Sequence, residues 1–80
     1  MRIVTKTKLA PKDVIQKAID FFGPMGYKLK HVSQTDSSLR FEGGGGSVEL
    51  DISEENGKTN VDFLSFEWDY QVKEFIHTIR

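Results

Sequence analysis

Two residue pairs that favour tight turns divide the second half of the chain and leave few alternatives for the fold around them. Gly44-Gly45 and Asn56-Gly57 are typical of two-residue β-hairpin turns, whose backbone angles glycine and asparagine adopt at low cost. Closing the chain at both turns sets apolar residues against apolar residues and an arginine against a glutamate. The resulting pairs are Glu42–Ser47, Phe41–Val48, Arg40–Glu49 and Leu39–Leu50, then Ile52–Val61, Leu50–Phe63 and Glu49–Leu64. The sequence therefore predicts three consecutive antiparallel strands with a common apolar face.

Alternation and helical periodicity predict the remaining elements. Residues 2–9 and 27–32 alternate between apolar and polar side chains, which is typical of strands. A helix is predicted over residues 11–22, because apolar side chains recur there at helical spacing. Asp69 is predicted to be the N-cap of a last helix. The apolar stripes of the two helices consist of Val14, Ile15, Ala18, Ile19 and Phe22, and of Val72, Phe75, Ile76 and Ile79.

Eighty residues are enough for one core, so residues 1–80 are predicted to form a single domain. The element order is β-α-β-β-β-β-α. Pairing the first strand with the fifth gives a five-stranded antiparallel sheet of order 1-5-4-3-2 with two helices on one face, an α+β fold. This element order resembles a shortened helix-grip domain or one half of a TATA-binding-protein-like repeat. The resemblance implies the arrangement of sheet and helices and carries no site residue.

Charge is distributed unevenly along the chain. Residues 1–40 have eight basic and three acidic side chains, residues 41–80 have three and nine, and the net charge is -1. A nearly neutral total argues against nucleic acid and anionic membranes as partners. The chain has no cysteine, no apolar run long enough to span a bilayer and no signal-peptide pattern at its start. We expect a cytoplasmic protein.

Three carboxylates, of Glu49, Asp51 and Asp62, are predicted to lie together on the outer face of the sheet. Such a group is able to hold Mg²⁺ or Ca²⁺, but a flat strand face seldom surrounds a cation. Neighbouring strands bring the lysines Lys6, Lys8, Lys28 and Lys30. We therefore predict a solvated ladder of salt bridges here, with no metal and no cofactor.

No residue set has the spacing of a catalytic site. The four glycines 43–46 lead into a strand, so they indicate a hairpin and not a phosphate-binding loop, which would lead into a helix. His31 is predicted to be hydrogen-bonded at the edge of the core, and His77 to be exposed near the end of the last helix. Neither histidine has a partner in a catalytic arrangement, so the protein is not expected to be an enzyme.

The predicted fifth strand, residues 59–68, is apolar on both faces near its end. Leu64, Phe66 and Trp68 point outward in this pattern, and antiparallel pairing is expected to bring Val4 beside Phe66 or Trp68. Exposed apolar side chains rimmed by charge are typical of protein interfaces. The main hypothesis is therefore a non-catalytic interaction domain, a homodimer or adaptor, that uses these four residues. Two alternatives remain open: the aromatic rings cover the glycines within the monomer, or a β-bulge near Leu64 turns Phe66 inward.

A second hypothesis is a carrier of a small apolar ligand. Its pocket is expected between the helices and the inner face of the sheet. The lining residues in this hypothesis are Tyr27, His31, Phe63, Ser65 and Phe75. A filled interior at these positions excludes it.

Overall fold

The computed structural model describes residues 1–80 as one sheet with two helices. The strands are β1 (Arg2–Thr7), β2 (Lys30–Gln34), β3 (Ser38–Gly43), β4 (Gly46–Glu55) and β5 (Lys58–Phe66), and the helices are α1 (Pro11–Phe22) and α2 (Asp69–Ile79). All strand pairs are antiparallel, in the order β1-β5-β4-β3-β2. The predicted fold class, element order and strand order are confirmed. Neither helix is long and apolar enough to cross a lipid bilayer.

Both hairpin turns have the backbone angles that the sequence predicts. The φ angle is 57° at Gly44 and 79° at Gly45, and 53° at Asn56 and 78° at Gly57. Two successive positive φ angles match the strand twist in two-residue hairpins. The four predicted β3–β4 pairs and the three predicted β4–β5 pairs are all present. The registers of these three strands are therefore confirmed.

A cluster of 15 buried apolar residues fills the space between the helices and the inner face of the sheet. Phe75 of α2 lies near its centre and has no exposed surface. Its ring centroid is 5.3 Å from those of Phe21 and Phe22 and 5.9 Å from that of Phe63. These are contact distances for tilted and edge-on aromatic pairs. The core is thus centred on rings contributed by both helices and β5.

The second strand begins three residues later than predicted. Lys28 donates its backbone N–H to the Gly23 carbonyl at 2.9 Å, and Leu29 donates to the Phe22 carbonyl at 2.9 Å. These bonds satisfy carbonyl groups at the end of α1, where the helix itself offers no partner. Lys28 has a φ of 65°. The segment before Lys30 is therefore a helix-terminating turn, because its hydrogen bonds go to α1 and not to a neighbouring strand.

Other element ends also differ from the prediction, and β5 ends at Phe66 instead of Trp68. β1 stops at Thr7 because the Thr7 hydroxyl accepts the backbone N–H of Leu9 at 3.2 Å and donates to the Ile79 carbonyl. A side chain that bonds the backbone two residues on is typical of a turn. The last helix begins with Asp69, Trp68 occupies the N-cap position, and no side chain caps this end. Asp69 as the N-cap is therefore wrong by one residue.

The register of β1 against β5 corrects a further prediction. Arg2 pairs with Leu64 and Val4 pairs with Asp62. Val4 is therefore diagonal to Leu64, and its predicted position beside Phe66 or Trp68 is wrong. The physical reason is that no tight turn joins these two strands, so alternation determines the face of each residue but not the pairing.

Candidate functional site

Trp68 lies across the glycine hairpin and away from the open sheet face. Glu67 has a φ of 69°, which ends the strand alternation and redirects the following side chain. The Trp68 indole Nε1 donates to the Gly43 carbonyl at 2.9 Å. The ring comes within 2.9 Å of the position that a Cβ on Gly44 would occupy, and it packs against the core. The outward position predicted for Trp68 is wrong, and the alternative in which a ring covers the glycines is confirmed for this residue.

The other three predicted interaction residues do form a row on the open face. Val4, Leu64 and Phe66, the open-face row, are 53 %, 38 % and 57 % exposed. Leu64 and Phe66 are two residues apart on β5, and Val4 is on the diagonal from Leu64, within reach of its side chain. β4 and β5 pair without interruption, so the alternative of a bulge that turns Phe66 inward is wrong. Charged side chains neighbour the row on this face, since Leu64 pairs with Arg2 and Glu49 and Val4 pairs with Asp62.

Close contact between β4 and β5 supports the end of the open-face row. A Cβ on Gly46 would lie 1.9 Å from the Phe66 carbonyl oxygen, which no backbone tolerates without moving. Glycine at position 46 therefore allows the strands to approach beside Phe66. Trp68 holds the chain two residues later through its bond to Gly43. The backbone at Phe66 is therefore in close contact with β4 at Gly46, and the chain just after it is held by the hydrogen bond from Trp68 to Gly43.

Arginines, and not the predicted lysines, balance the carboxylates of the open face. Arg2 Nε donates to both Asp62 carboxylate oxygens, at 3.0 and 3.1 Å. Arg40 donates to Glu42 at 2.9 Å and also to Glu49. The hydrogen bond from Arg2 lowers the pKa of the Asp62 carboxyl and raises the pKa of the guanidinium. No salt bridge includes any lysine of the predicted ladder, Lys6, Lys8, Lys28 or Lys30.

The Arg2–Asp62 pair makes stability depend on pH. The pKa of Asp62 is lower in the folded protein, so the pair stabilises the fold above the unfolded-state pKa, and this contribution is lost as pH falls through the folded-state pKa. We expect Arg2→Gln to raise the pKa of Asp62 and to lower stability at pH 7. The difference from the wild type should vanish at an acidic pH below the folded-state pKa of Asp62, where the carboxyl is protonated in both proteins. Carboxyl NMR titration and urea unfolding at the two pH values measure this, with Lys30→Gln as the charge-matched control.

Of the residues considered for a metal or for catalysis, Asp51 and Asp62 are paired across β4 and β5, and the two histidines lie on β2 and α2. The structure contains no group of three or more His, Asp or Glu side chains placed to hold a metal ion. Asp62 of the predicted trio is held by Arg2. His31 is half-buried and stacked on Phe41, with ring centroids 5.2 Å apart. Its Nε2 has no hydrogen-bond partner, whereas a hydrogen-bonded histidine was predicted. His77 is exposed in the last turn of α2, as predicted.

The predicted ligand pocket is filled by its own lining residues. Phe63, Ser65 and Phe75 have no exposed surface, and the two rings are part of the core. Tyr27 lies at the periphery, where its hydroxyl donates to Glu74 at 2.6 Å, and this bond raises the tyrosine pKa. His31 is on β2, separated from β5 by two strands. These five residues do not enclose a cavity, so the prediction of a pocket is wrong.

One cluster of charged residues comes together only in the folded chain. Four basic side chains surround a depression of about 360 Å³ at the end of β1, next to the turn after β4 and the end of α2. They are Lys6, Lys8, Lys58 and Arg80, and the lining residues include no acidic side chain. The excess of basic residues in the first half of the sequence indicates part of this cluster. Lys58 and Arg80 join it from distant elements, which the sequence did not indicate.

Comparison with known proteins adds no relative. No protein-family model matches the chain, and no curated protein and no solved structure has a significant match to it.

Proposed function

We propose that this protein is a non-catalytic interaction domain that associates with a second copy of itself through the open-face row. The observation that carries the proposal is the exposure of Phe66, 57 %, on a sheet face that no helix covers. The side chain extends from the paired strand β5 beside Leu64, and the ring that covers the glycines is that of Trp68. A large apolar side chain at a fixed and exposed position is a typical interface anchor.

Balanced charge on the open face favours a second copy as the partner. The strand registers place five basic and five acidic side chains on this face: Arg2, Lys6, Lys30, Arg40 and Lys58, with Glu42, Glu49, Asp51, Glu55 and Asp62. In a two-fold dimer the same surface meets itself, so a face of one sign would repel its copy. A neutral face with paired arginines avoids this repulsion. Association would bury the open-face row and leave the ion pairs at the rim.

A non-catalytic role and a cytoplasmic location are part of the same proposal. The positions of the two histidines on different elements and the close packing of the core support this proposal over a catalytic or ligand-carrying role. The chain has no cysteine, which suits a reducing compartment.

Phe66→Ala should weaken self-association by at least about fivefold, because an interface anchor commonly contributes more than about 1 kcal/mol. Sedimentation velocity over a wide concentration range measures the effect. Tyr70→Ala is the matched control, since Tyr70 is an aromatic residue 73 % exposed on α2, away from the open face. Urea unfolding of both variants checks that the fold is retained. A wild-type protein that stays monomeric at every concentration, or a Phe66→Ala variant that associates normally, contradicts the proposal.

A further inference from the structure

We propose that the free edge of β1 binds an extended acidic segment of a partner protein as an added strand. This site differs from the open-face row in surface, chemistry and partner, and it does not depend on self-association. Three observations carry it: the unpaired backbone of β1, the absence of acidic residues along that edge, and the basic depression at its end.

The hydrogen-bond pattern shows which backbone groups are free. Met1 and Ser65 exchange both of their backbone hydrogen bonds, so they are a hydrogen-bonded pair of the β1–β5 ladder. Such pairs alternate along antiparallel strands, which directs the N–H and C=O of every second residue away from β5. Those of Arg2, Val4 and Lys6 therefore point to the open edge. An incoming strand therefore has three alternate residues, each with a free N–H and C=O, with which to pair.

The opposite edge of the sheet is a poorer site. β2 has five residues, and its pairing with β3 shifts between His31 and Ser33. A bulge of this kind interrupts the regular spacing of backbone groups and is a common protection of edge strands. β1 pairs with β5 over six consecutive residues without a shift, so its outer edge has the regular spacing that strand addition requires.

Charge selects an acidic partner and disfavours a second copy at this edge. β1 and the residue that follows it carry no carboxylate, and of their three basic residues Arg2 is paired with Asp62 whereas Lys6 and Lys8 are in no salt bridge. If two copies paired through β1 about a two-fold axis at Val4, Arg2 of each would face Lys6 of the other, and like charges opposite each other destabilise a strand pair. A partner strand with a glutamate or aspartate opposite Lys6 and an apolar residue opposite Val4 forms favourable cross-strand pairs instead.

The basic depression extends the same preference beyond the strand. Lys6 and Lys8 line it together with Lys58 and Arg80, around an apolar floor that includes Leu9 and Ile79. None of the four basic side chains is in a salt bridge within the domain. An acidic side chain that follows the added strand would therefore find several unpaired cations, and opposite charge would speed association at low salt.

Fluorescence anisotropy tests the proposal with a labelled ten-residue peptide in which every second residue is threonine and the positions between alternate glutamate and valine, so that glutamate lies opposite Lys6 when valine lies opposite Val4. We expect this peptide to bind, with affinity that falls as salt is added. Two control peptides should not bind: one with lysine in place of glutamate, and one with two central prolines, which lack the backbone N–H that strand addition uses. Equal binding of the lysine peptide or of the proline peptide overturns the proposal, as does no binding of the glutamate peptide.

Variants locate the site. Lys6→Glu with Lys8→Glu should weaken binding by at least about tenfold, since each replaces a favourable exposed charge pair by a repulsive one. Lys12→Glu with Lys17→Glu makes the same charge change on α1, where both lysines are exposed, and should bind as the wild type does. Phe66→Ala should also bind the peptide normally, which separates this site from the proposed self-association. If both double variants weaken peptide binding equally, the effect is one of total charge, and the proposed location of the site is contradicted.

Amide hydrogen exchange distinguishes strand addition from simple charge attraction. The N–H groups of Val4 and Lys6 should exchange more slowly in the presence of the peptide, because they gain partners at the open edge. Those of Ile3 and Thr5 already face β5 and should change less. Binding without slower exchange at Val4 and Lys6 would contradict strand addition. Displacement of the peptide by an equal concentration of inorganic tripolyphosphate would also contradict it, and would indicate a site that binds anions in general.

Discussion

Phe75→Ala is expected to lower the free energy of unfolding by about 3 to 5 kcal/mol, the usual loss when a buried aromatic side chain is removed from a core. Phe75 has no exposed surface and contacts three other phenylalanine rings, so the surrounding side chains cannot close the space without moving both helices. A domain of this length has a total stability of about 4 to 12 kcal/mol. The variant should therefore lose at least about a quarter of the total stability, and at the low end of this range it should be unfolded at room temperature.

Urea unfolding followed by circular dichroism measures this loss. Phe75→Leu is the matched control, because it keeps most of the apolar volume and should cost roughly 1 to 1.5 kcal/mol. Tyr70→Ala on the same helix removes an exposed ring and should change stability by less than about 0.5 kcal/mol. A Phe75→Ala protein as stable as the Tyr70→Ala protein would show that the helices do not pack on the sheet as described.

The second large effect is expected at Trp68, where alanine should cost about 2 to 3 kcal/mol, less than for a core ring because the side chain is half-buried. The indole contributes packing on Gly44, an edge-on contact with Tyr27 at 5.8 Å, and the hydrogen bond to the Gly43 carbonyl. Trp68→Phe keeps much of the packing and removes the hydrogen bond, so it should cost about 1 kcal/mol.

Thermal and urea unfolding of the two Trp68 variants give these values. Self-association should weaken in Trp68→Ala only as far as the fold is lost, because the ring lies over the hairpin and not in the open-face row. Sedimentation velocity of Trp68→Phe is the control, because this variant keeps much of the packing and so separates loss of self-association from loss of the fold. If Trp68→Ala keeps wild-type stability but loses self-association, then Trp68 belongs to the interface, as the sequence pattern first indicated.

Position 66 illustrates how far the sequence could go towards the candidate site. Phe66 was predicted on the outer face from alternation along its strand, and the pairing of Phe66 with Ser47 continues the register that the turns set. The same alternation predicted Trp68 on that face. It failed there because the backbone at Glu67 adopts a positive φ as the chain enters α2, a local change that no side-chain pattern reveals.

His31 and Ser65, which were expected to line a pocket, show a second limit of prediction from sequence. Their inward orientation was predicted from alternation, and Ser65 is fully buried. Whether inward residues line a cavity or fill a core depends on how closely the helices approach the sheet. The rings of Phe63 and Phe75, 5.9 Å apart, occupy the space that a ligand would need.

The sequence by itself determined the strands β3, β4 and β5, their registers and the face of each residue, because turn pairs and alternation act over a few neighbouring residues. It also determined the helices through their apolar stripes. Only the tertiary structure decided that Val4 is opposite Asp62, that Trp68 covers the glycines, and that Lys58 and Arg80 join the lysines of β1. These three features depend on contacts between segments far apart in the chain, and no short-range pattern specifies the distance at which such segments meet.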